Sequence, residues 1–439
     1  MSPNTPLTPQ LTPQLTPQLT PQLTIAQASC ADDYDPNAMP VDKARAFIHT
    51  FLTPITGVAK LQIRSALGRV LAEDIISPVN VPSHRNSAMD GWAVCFADVS
   101  GSAAPLAEVG ASFAGKPFEG KLATGQCIRI FTGGVVPAEC DTVIMQERAE
   151  ANGKSITFAD GAKQGQNVRE AGEDLKQGAV ALNKGRIVRP AELGLIASLG
   201  ISEVAVVRPL RVAFFSTGDE LVSIGSPLGA GEIYDSNRYT LFGMLAKMGV
   251  DAIDMGVIRD NPEILERAFR DAASIADVVI TSGGVSVGEA DFVKTLLGKL
   301  GEVVFWKIAM KPGRPLAYGK IQNAHFFGLP GNPVSVMVTF YQFVRDALLT
   351  LQGVSPLPVQ PLLKAVCTSA IKKAPGRTEF QRGVMYLEDG HWKVRTTGEQ
   401  GSGILKSMSD ANCFIMLHDH VGNVETGATV DVQILEGVI

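Results

Sequence analysis

Three segments of this chain combine the residue types that hold phosphates with the carboxylates that hold divalent metals. The first, Ser216-Thr217-Gly218-Asp219-Glu220, follows the apolar run Val212-Ala213-Phe214-Phe215. Its hydroxyls and glycine suit an anion facing backbone N–H groups. Glu220 beside that anion makes sense when a divalent cation lies between them; the same residues also make an ordinary helix cap. The second segment is Thr281-Ser282-Gly283-Gly284-Val285-Ser286-Val287-Gly288, followed by Glu289-Ala290-Asp291. Its glycines let backbone amides approach a phosphate closely, and Asp291 can ligate Mg²⁺ or cap the helix behind it. The third is Gly328-Leu329-Pro330-Gly331-Asn332-Pro333, in which Pro330 and Pro333 shape a rigid start to a helix, with or without a ligand. Between the last two lie Lys307, Lys311 and Arg314, the lysines on one face of an extended segment because alternate residues share a face. Cations and carboxylates in one cleft suit a metal with an anionic substrate; spread over a surface they are simply solvated.

These segments need elements to place them. Arg211–Ser216 is predicted to be a buried strand, Ser236–Met248 a helix, Val250–Gly256 a strand and Pro262–Ala273 a helix. Strands follow at Val278–Thr281, Val303–Lys307 and His325–Leu329, with helices at Asp291–Leu300 and from Pro333 to about Leu349. Strand and helix alternating at this spacing predict a doubly wound parallel sheet. Ligands of such sheets sit beyond the carboxyl ends of the strands, where all three segments fall. From about Val79 to Asn167 short apolar runs alternate with Gly, Pro and Asn, predicting an all-β module, and glycine-rich β structure returns between Asp174 and Pro209. Short strands after Pro356 predict a small C-terminal β-barrel. The expected division is therefore a tail (1–37), a helical linking segment (38–76), a β module (77–178), a linking β segment (179–209), an α/β domain (210–358) and a β-barrel (359–439).

Composition narrows the partners. A formal net charge of -5, with no Lys/Arg-rich block, disfavours nucleic acid, whose binders show a basic face. The six cysteines, Cys30, Cys95, Cys127, Cys140, Cys367 and Cys413, form no CxxC pair and read as reduced core residues. No apolar run is expected to reach the roughly 18 residues of a membrane span and no signal peptide is evident, which points to the cytoplasm. The proline recurring in the Thr-Pro-Gln-Leu repeat before about Ser29 removes backbone donors and opposes helix. His418 and His420 share a strand face and read as surface residues more readily than as metal ligands.

Four motifs occur in order: Ser87-Ala88-Met89-Asp90-Gly91, Phe215-Ser216-Thr217-Gly218-Asp219-Glu220-Leu221, the segment from Thr281 to Glu289, and Gly328-Leu329-Pro330-Gly331-Asn332-Pro333. Together they resemble the MoeA family, with the gephyrin E domain among its eukaryotic relatives, from about Pro40 to the C-terminus. The resemblance implies a MoaB/Mog-like α/β domain with an inserted β module and a C-terminal β-barrel. It further implies a molybdopterin molybdenumtransferase: molybdate and adenylylated molybdopterin give molybdenum cofactor and AMP, with Mg²⁺, in a homodimer fed by an upstream molybdopterin adenylyltransferase. On this resemblance Asp90 and Thr132 are catalytic, and Glu220, Asp260 and Asp291 are both catalytic and metal-holding. Lys307, Lys311, Arg382 and Ser402 face molybdate. Arg169, Asp174, Ser216, Thr217, Gly218, Ser282, Gly283, Gly284, Ser286, Pro330 and Pro333 face the pterin nucleotide. Departures from the family's pattern include Trp92 where Tyr is common and Arg314 where Lys is common. The rival expectations are a non-catalytic scaffold and a CinA-like pyrophosphatase sharing the α/β domain.

Overall fold

The computed structural model describes residues 24–25, 39–101, 104–284 and 290–435, and their side chains except at 290–292. The repeat up to Leu23, Cys30 and Ser286 lie outside the described residues, as does the side chain of Asp291. The described chain forms two compact units: one from Thr53–Pro209 with Leu349–Pro358, the other from the residues up to Leu52, Leu210–Leu348 and Val359–Ile439.

In the larger unit the chain alternates as β1 (Arg211–Thr217), α1 (Ser236–Lys247), β2 (Asp251–Ile258), α2 (Pro262–Ile275), β3 (Val278–Ser282), α3 (Ala290–Leu300), β4 (Gly301–Lys307), β5 (Pro315–Ile321), β6 (Ala324–Leu329) and α4 (Pro333–Thr339). The sheet order is β2-β1-β3-β6-β5-β4. Its first four strands are parallel; β5 is antiparallel to both β6 and β4, a hairpin partner that the alternation of strands and helices did not predict. Val212, Ala213, Phe214 and Phe215 are all fully buried, as a strand covered on both faces requires. Ala213 and Phe215 point into a core shared with Leu265, Phe269, Leu297 and Phe326 from α2, α3 and β6. Phe269 meets Phe215 and Phe326 edge-on, at 5.3 and 5.7 Å between ring centroids. The opposite face is covered by α1 and α4. Helix α4 continues through a π-helical turn, Phe340–Val344, into Arg345–Leu351. This 19-residue stretch is long and apolar enough to cross a membrane, yet most of it is buried inside the protein as a core helix.

Behind it β7 (Leu362–Cys367), β8 (Thr378–Glu388), β9 (His391–Thr396), β10 (Cys413–Leu417) and β11 (Thr429–Ile434) run in the order β8-β9-β7-β11-β10. Pairing of β8 with β10 closes these five strands into a barrel. Met310 and Lys311 add a short parallel strand to β8, which ties the barrel to the α/β sheet.

The smaller unit holds a six-stranded sheet, with Gly91–Val94 between Thr142–Met145 and Gln126–Ile130. Its other pairs are Val58–Gln62 with Glu203–Val207 and Ile75–Ile76 with Val180–Leu182. The stretch 174–209, expected to be β throughout, contains a helix at Pro190–Ser198. Pro190 occupies its first turn, and Glu192 accepts the Arg189 backbone N–H at 3.1 Å, so a helix start outweighs the apolar alternation around it.

Candidate active site: a cleft at the carboxyl edge of the sheet

Register explains why the predicted segments meet. Ser216 of β1 pairs with Ser282 of β3, Ser282 pairs with Leu329 of β6, and Thr217 pairs with Ile258 of β2. Four parallel strands therefore end level, and the loops that follow them open on one edge. There they enclose a cleft of about 480 Å³, within the size range of small-ligand sites. Its walls include Thr217, Gly218, Glu220, Asp260, Ser282, Gly283, Gly284 and Pro333 from the sequence prediction.

The glycines are there because side chains would not fit. A Cβ on Gly283 (φ +92°) would lie 2.6 Å from the Thr217 carbonyl oxygen, and one on Gly284 (φ +68°) 2.9 Å from Thr217 Oγ1. A Cβ on Gly218 would lie 2.6 Å from a Glu220 carboxylate oxygen, so Glu220 folds back over its own loop. Asp260 reaches the cleft from the end of β2, its backbone N–H donating to Asp219 Oδ1 at 3.3 Å, while Arg259 Nη1 donates to the Asp219 carbonyl at 3.1 Å. Ser216 is fully buried below the cleft and donates to Asp235 Oδ1 at 2.9 Å. Pro330 is buried behind the loop that follows β6.

Asp235 and Asn237 also line the cleft, and sequence reading passed over both. Asp235 caps α1 through the Arg238 N–H at 3.2 Å and is 1% exposed. Asn237 Nδ2 donates to Ser282 Oγ at 2.8 Å and to the Gly331 carbonyl at 2.6 Å, which binds α1 to the loops behind β3 and β6. The available signal was Asp235-Ser236-Asn237 at the start of a helix, which reads as capping alone.

The predicted cations stand elsewhere. Lys307 ends β4 two strands from β6, roughly 10 Å across the sheet at ordinary strand spacing. Lys311 lies 3.8 Å from Glu379, a buried carboxylate that also accepts from Gln381 Nε2 at 2.9 Å. Ile308 and Met310 are fully buried between these lysines, consistent with their sharing an outward face. Arg382 of β8 is 1% exposed; its Nε donates to Ser407 Oγ and its Nη2 to the Gly401 carbonyl, both at 3.0 Å. Burial pulls its pKa down to about 10, and among the described residues no carboxylate offsets that. The loop Arg382 holds connects to the cleft: the Ser402 carbonyl accepts the Val334 N–H at the start of α4 (3.1 Å), and Gly403 and Leu405 form part of the cleft wall.

In the smaller unit Asp90 Oδ1 accepts from the backbone N–H and the hydroxyl of Thr132, at 2.7 and 2.8 Å. These hydrogen bonds, with a smaller contribution from Arg129, hold the Asp90 carboxyl below the usual carboxylate range while it stays exposed. Arg169 and Asp174 are exposed in the same unit, with the Asp174 N–H donating to the Val81 carbonyl at 3.0 Å. Among the described residues no group of three or more His, Cys, Asp or Glu is arranged around a metal position, the His418–His420 pair included. Glu220 and Asp260 are the two predicted metal-holding residues whose side chains are described, and both face the cleft.

Fold and cleft together define a multidomain α/β protein with a small-molecule site at the carboxyl edge of its sheet. Family models match almost the whole chain: the MoeA N-terminal region (domain I and II) at residues 39–200, the "Probable molybdopterin binding domain" at 213–350, and the MoeA C-terminal region (domain IV) at 364–435. A molybdopterin molybdenumtransferase of Haemophilus influenzae is 48% identical over 90% of this chain and 98% of its own length. Gephyrin of Dictyostelium discoideum is 34% identical over 90% of this chain and 62% of its own length. A crystal structure of the molybdopterin biosynthesis MoeA protein from Pyrococcus horikoshii superposes with a TM-score of 0.78 at 30% identity, covering 90% of this chain and 100% of that one. The chain belongs to the MoeA family of molybdopterin molybdenumtransferases.

Proposed function

We propose that this chain transfers molybdate to the dithiolene of adenylylated molybdopterin, releasing AMP and giving molybdenum cofactor. The observation that carries this is the uncompensated charge of Arg382. A guanidinium 1% exposed, with no carboxylate partner among the described residues, is costly unless an anion approaches it, and its loop reaches the cleft through Gly403 and Leu405. Molybdate is a compact dianion that needs fixed N–H and O–H donors; Arg382 and Ser402, with Lys307 and Lys311 on the outward face of their segment, are of that kind. The pterin nucleotide is assigned to the cleft at the ends of β1, β3 and β6, whose wall includes Gly283 and Gly284.

Breaking the phosphoanhydride places charge on its oxygens and on the departing AMP. Glu220 and Asp260, carboxylates on one cleft wall, fit a hard cation by donor type, and Asp291 is the third residue proposed to hold it. Bound there, Mg²⁺ supplies neutralisation of phosphate charge. The sulfurs that receive molybdenum belong to the substrate, so the chain needs no thiolate. Cys127, Cys140 and Cys413 are buried thiols with pKa values pushed up to about 12 by burial, unsuited to nucleophilic work. Asp90, exposed and ionised beside Thr132, is proposed to meet this site in a homodimer. Cytoplasmic location and supply by an upstream molybdopterin adenylyltransferase belong to the same reading. The test is AMP release from adenylylated molybdopterin by the purified chain. Release that depends on molybdate supports the reading, and molybdate-independent release or none overturns it.

A further inference from the structure

The amide orientation of Asn237 is fixed by its neighbours. The Gly331 carbonyl can only accept, so the nitrogen must face it, and Nδ2 spends its donors there and on Ser282 Oγ. Oδ1 is thereby turned away from both, and among the described residues it has no hydrogen-bond partner although the residue is only 8% exposed. Thr217 Oγ1, beside Gly283 and Gly284 and also lining the cleft, is likewise buried and without a partner among the described residues. Leaving such atoms unpaired is costly. Both residues line the cleft, where a bound ligand can supply a partner.

We propose that Asn237 Oδ1 is a specificity determinant: it accepts a hydrogen bond from an exocyclic amino group of the heterocycle bound in the cleft. Phosphate oxygens only accept, so Asn237 does not read the phosphate. Neighbouring Asp235, which also lines the cleft, is paired with Arg238 Nε at 3.3 Å, so the preference rests on the Asn237 acceptor. This end of the cleft therefore favours the amino-bearing edge of a ring and disfavours an oxo group, whose lone pairs would face Oδ1. The inference rests on the proposed function for the identity of the ring. The substrate of that reaction carries two amino-bearing rings, the pterin and the adenine.

The experiment is equilibrium binding to the full chain with two matched pairs: 6-hydroxymethylpterin against 6-hydroxymethyllumazine, and AMP against IMP. Each pair exchanges an amino group for an oxo group. The wild type should prefer the amino member of one pair by about ten-fold, the effect of one well-placed hydrogen bond, and that pair identifies the ring. Asn237→Leu should bring the ratio close to one while the oxo ligand binds as before. Asn237→Ala, which only removes atoms, carries the same comparison should the leucine variant not fold. Ratios near one in the wild type for both pairs, or a preference that survives in the variants, overturn the proposal. AMP release is scored separately: absent ratios with intact molybdate-dependent release sink the subsite alone, and intact ratios without release sink the reaction alone.

Discussion

At the scale of single residues, geometry separates groups that touch the cleft from groups that shape it. Arg382 is proposed to do both, so a substitution that keeps charge and removes the planar fork is informative. Arg382→Lys should raise the molybdate concentration for half-maximal AMP release by about ten-fold or more, with affinity for AMP unchanged. Equal weakening of both would mean that Arg382 acts only through the loop bearing Gly403 and Leu405. Asp90 gives a second prediction. Thr132→Val removes the hydroxyl half of the pair that favours its ionised form while keeping the backbone bond. The Asp90 pKa should rise toward the ordinary range in a ¹³C NMR titration; an unmoved value would show that the side-chain bond contributes nothing. Asp235 and Asn237 were illegible at this scale because cap residues and ligand-facing residues are the same types. Only the third dimension shows that Asn237 spends its donors on two other loops.

At the scale of elements, the carboxyl edge was readable because four parallel strands of similar length end level, so loop composition located Glu220 and the glycines, while Asp260 came from the family resemblance. β5 was not, because Pro312 and Gly313 precede it and its antiparallel pairing breaks the βαβ rhythm. The helix at Pro190–Ser198 was hidden by glycines on either side, and its start depends on one acid. Glu192 is 3% exposed and bonds the Arg189 N–H and the guanidinium groups of Arg189 and Arg186; these bonds, led by Arg189, bring its pKa down to about 2 from 4.5. Glu192→Ala should cost about 1–2 kcal/mol of stability in urea unfolding at neutral pH. A folded pKa below the unfolded one stabilises fully above about 4.5, and the contribution is lost as pH falls toward about 2. The penalty of the substitution should shrink over that window, and a penalty independent of pH would show that packing, not charge, dominates.

For the molecule as a whole, the stretch Leu349–Pro358, expected to close the α/β domain, belongs instead to the compact unit of Thr53–Pro209. The Ile55 N–H donates to the Leu351 carbonyl at 2.9 Å, and the Ser355 N–H to the Gly185 carbonyl at 2.9 Å. Sequence reading had no means to see this, since the partners lie far apart along the chain. An excised Thr53–Pro209 fragment should therefore melt several degrees below the same fragment with Leu349–Pro358 attached by a flexible linker, measured by circular dichroism. Equal melting temperatures would mean that the short segment closes nothing.

The chain passes from one unit to the other at 52/53, 209/210, 348/349 and 358/359. No single nick or recombination breakpoint can then deliver both units whole, because one of them contains pieces from both ends of the polypeptide. The cleft and the Asp90 module are thereby bound to a common inheritance: a gene that keeps one intact by a simple truncation discards part of the other.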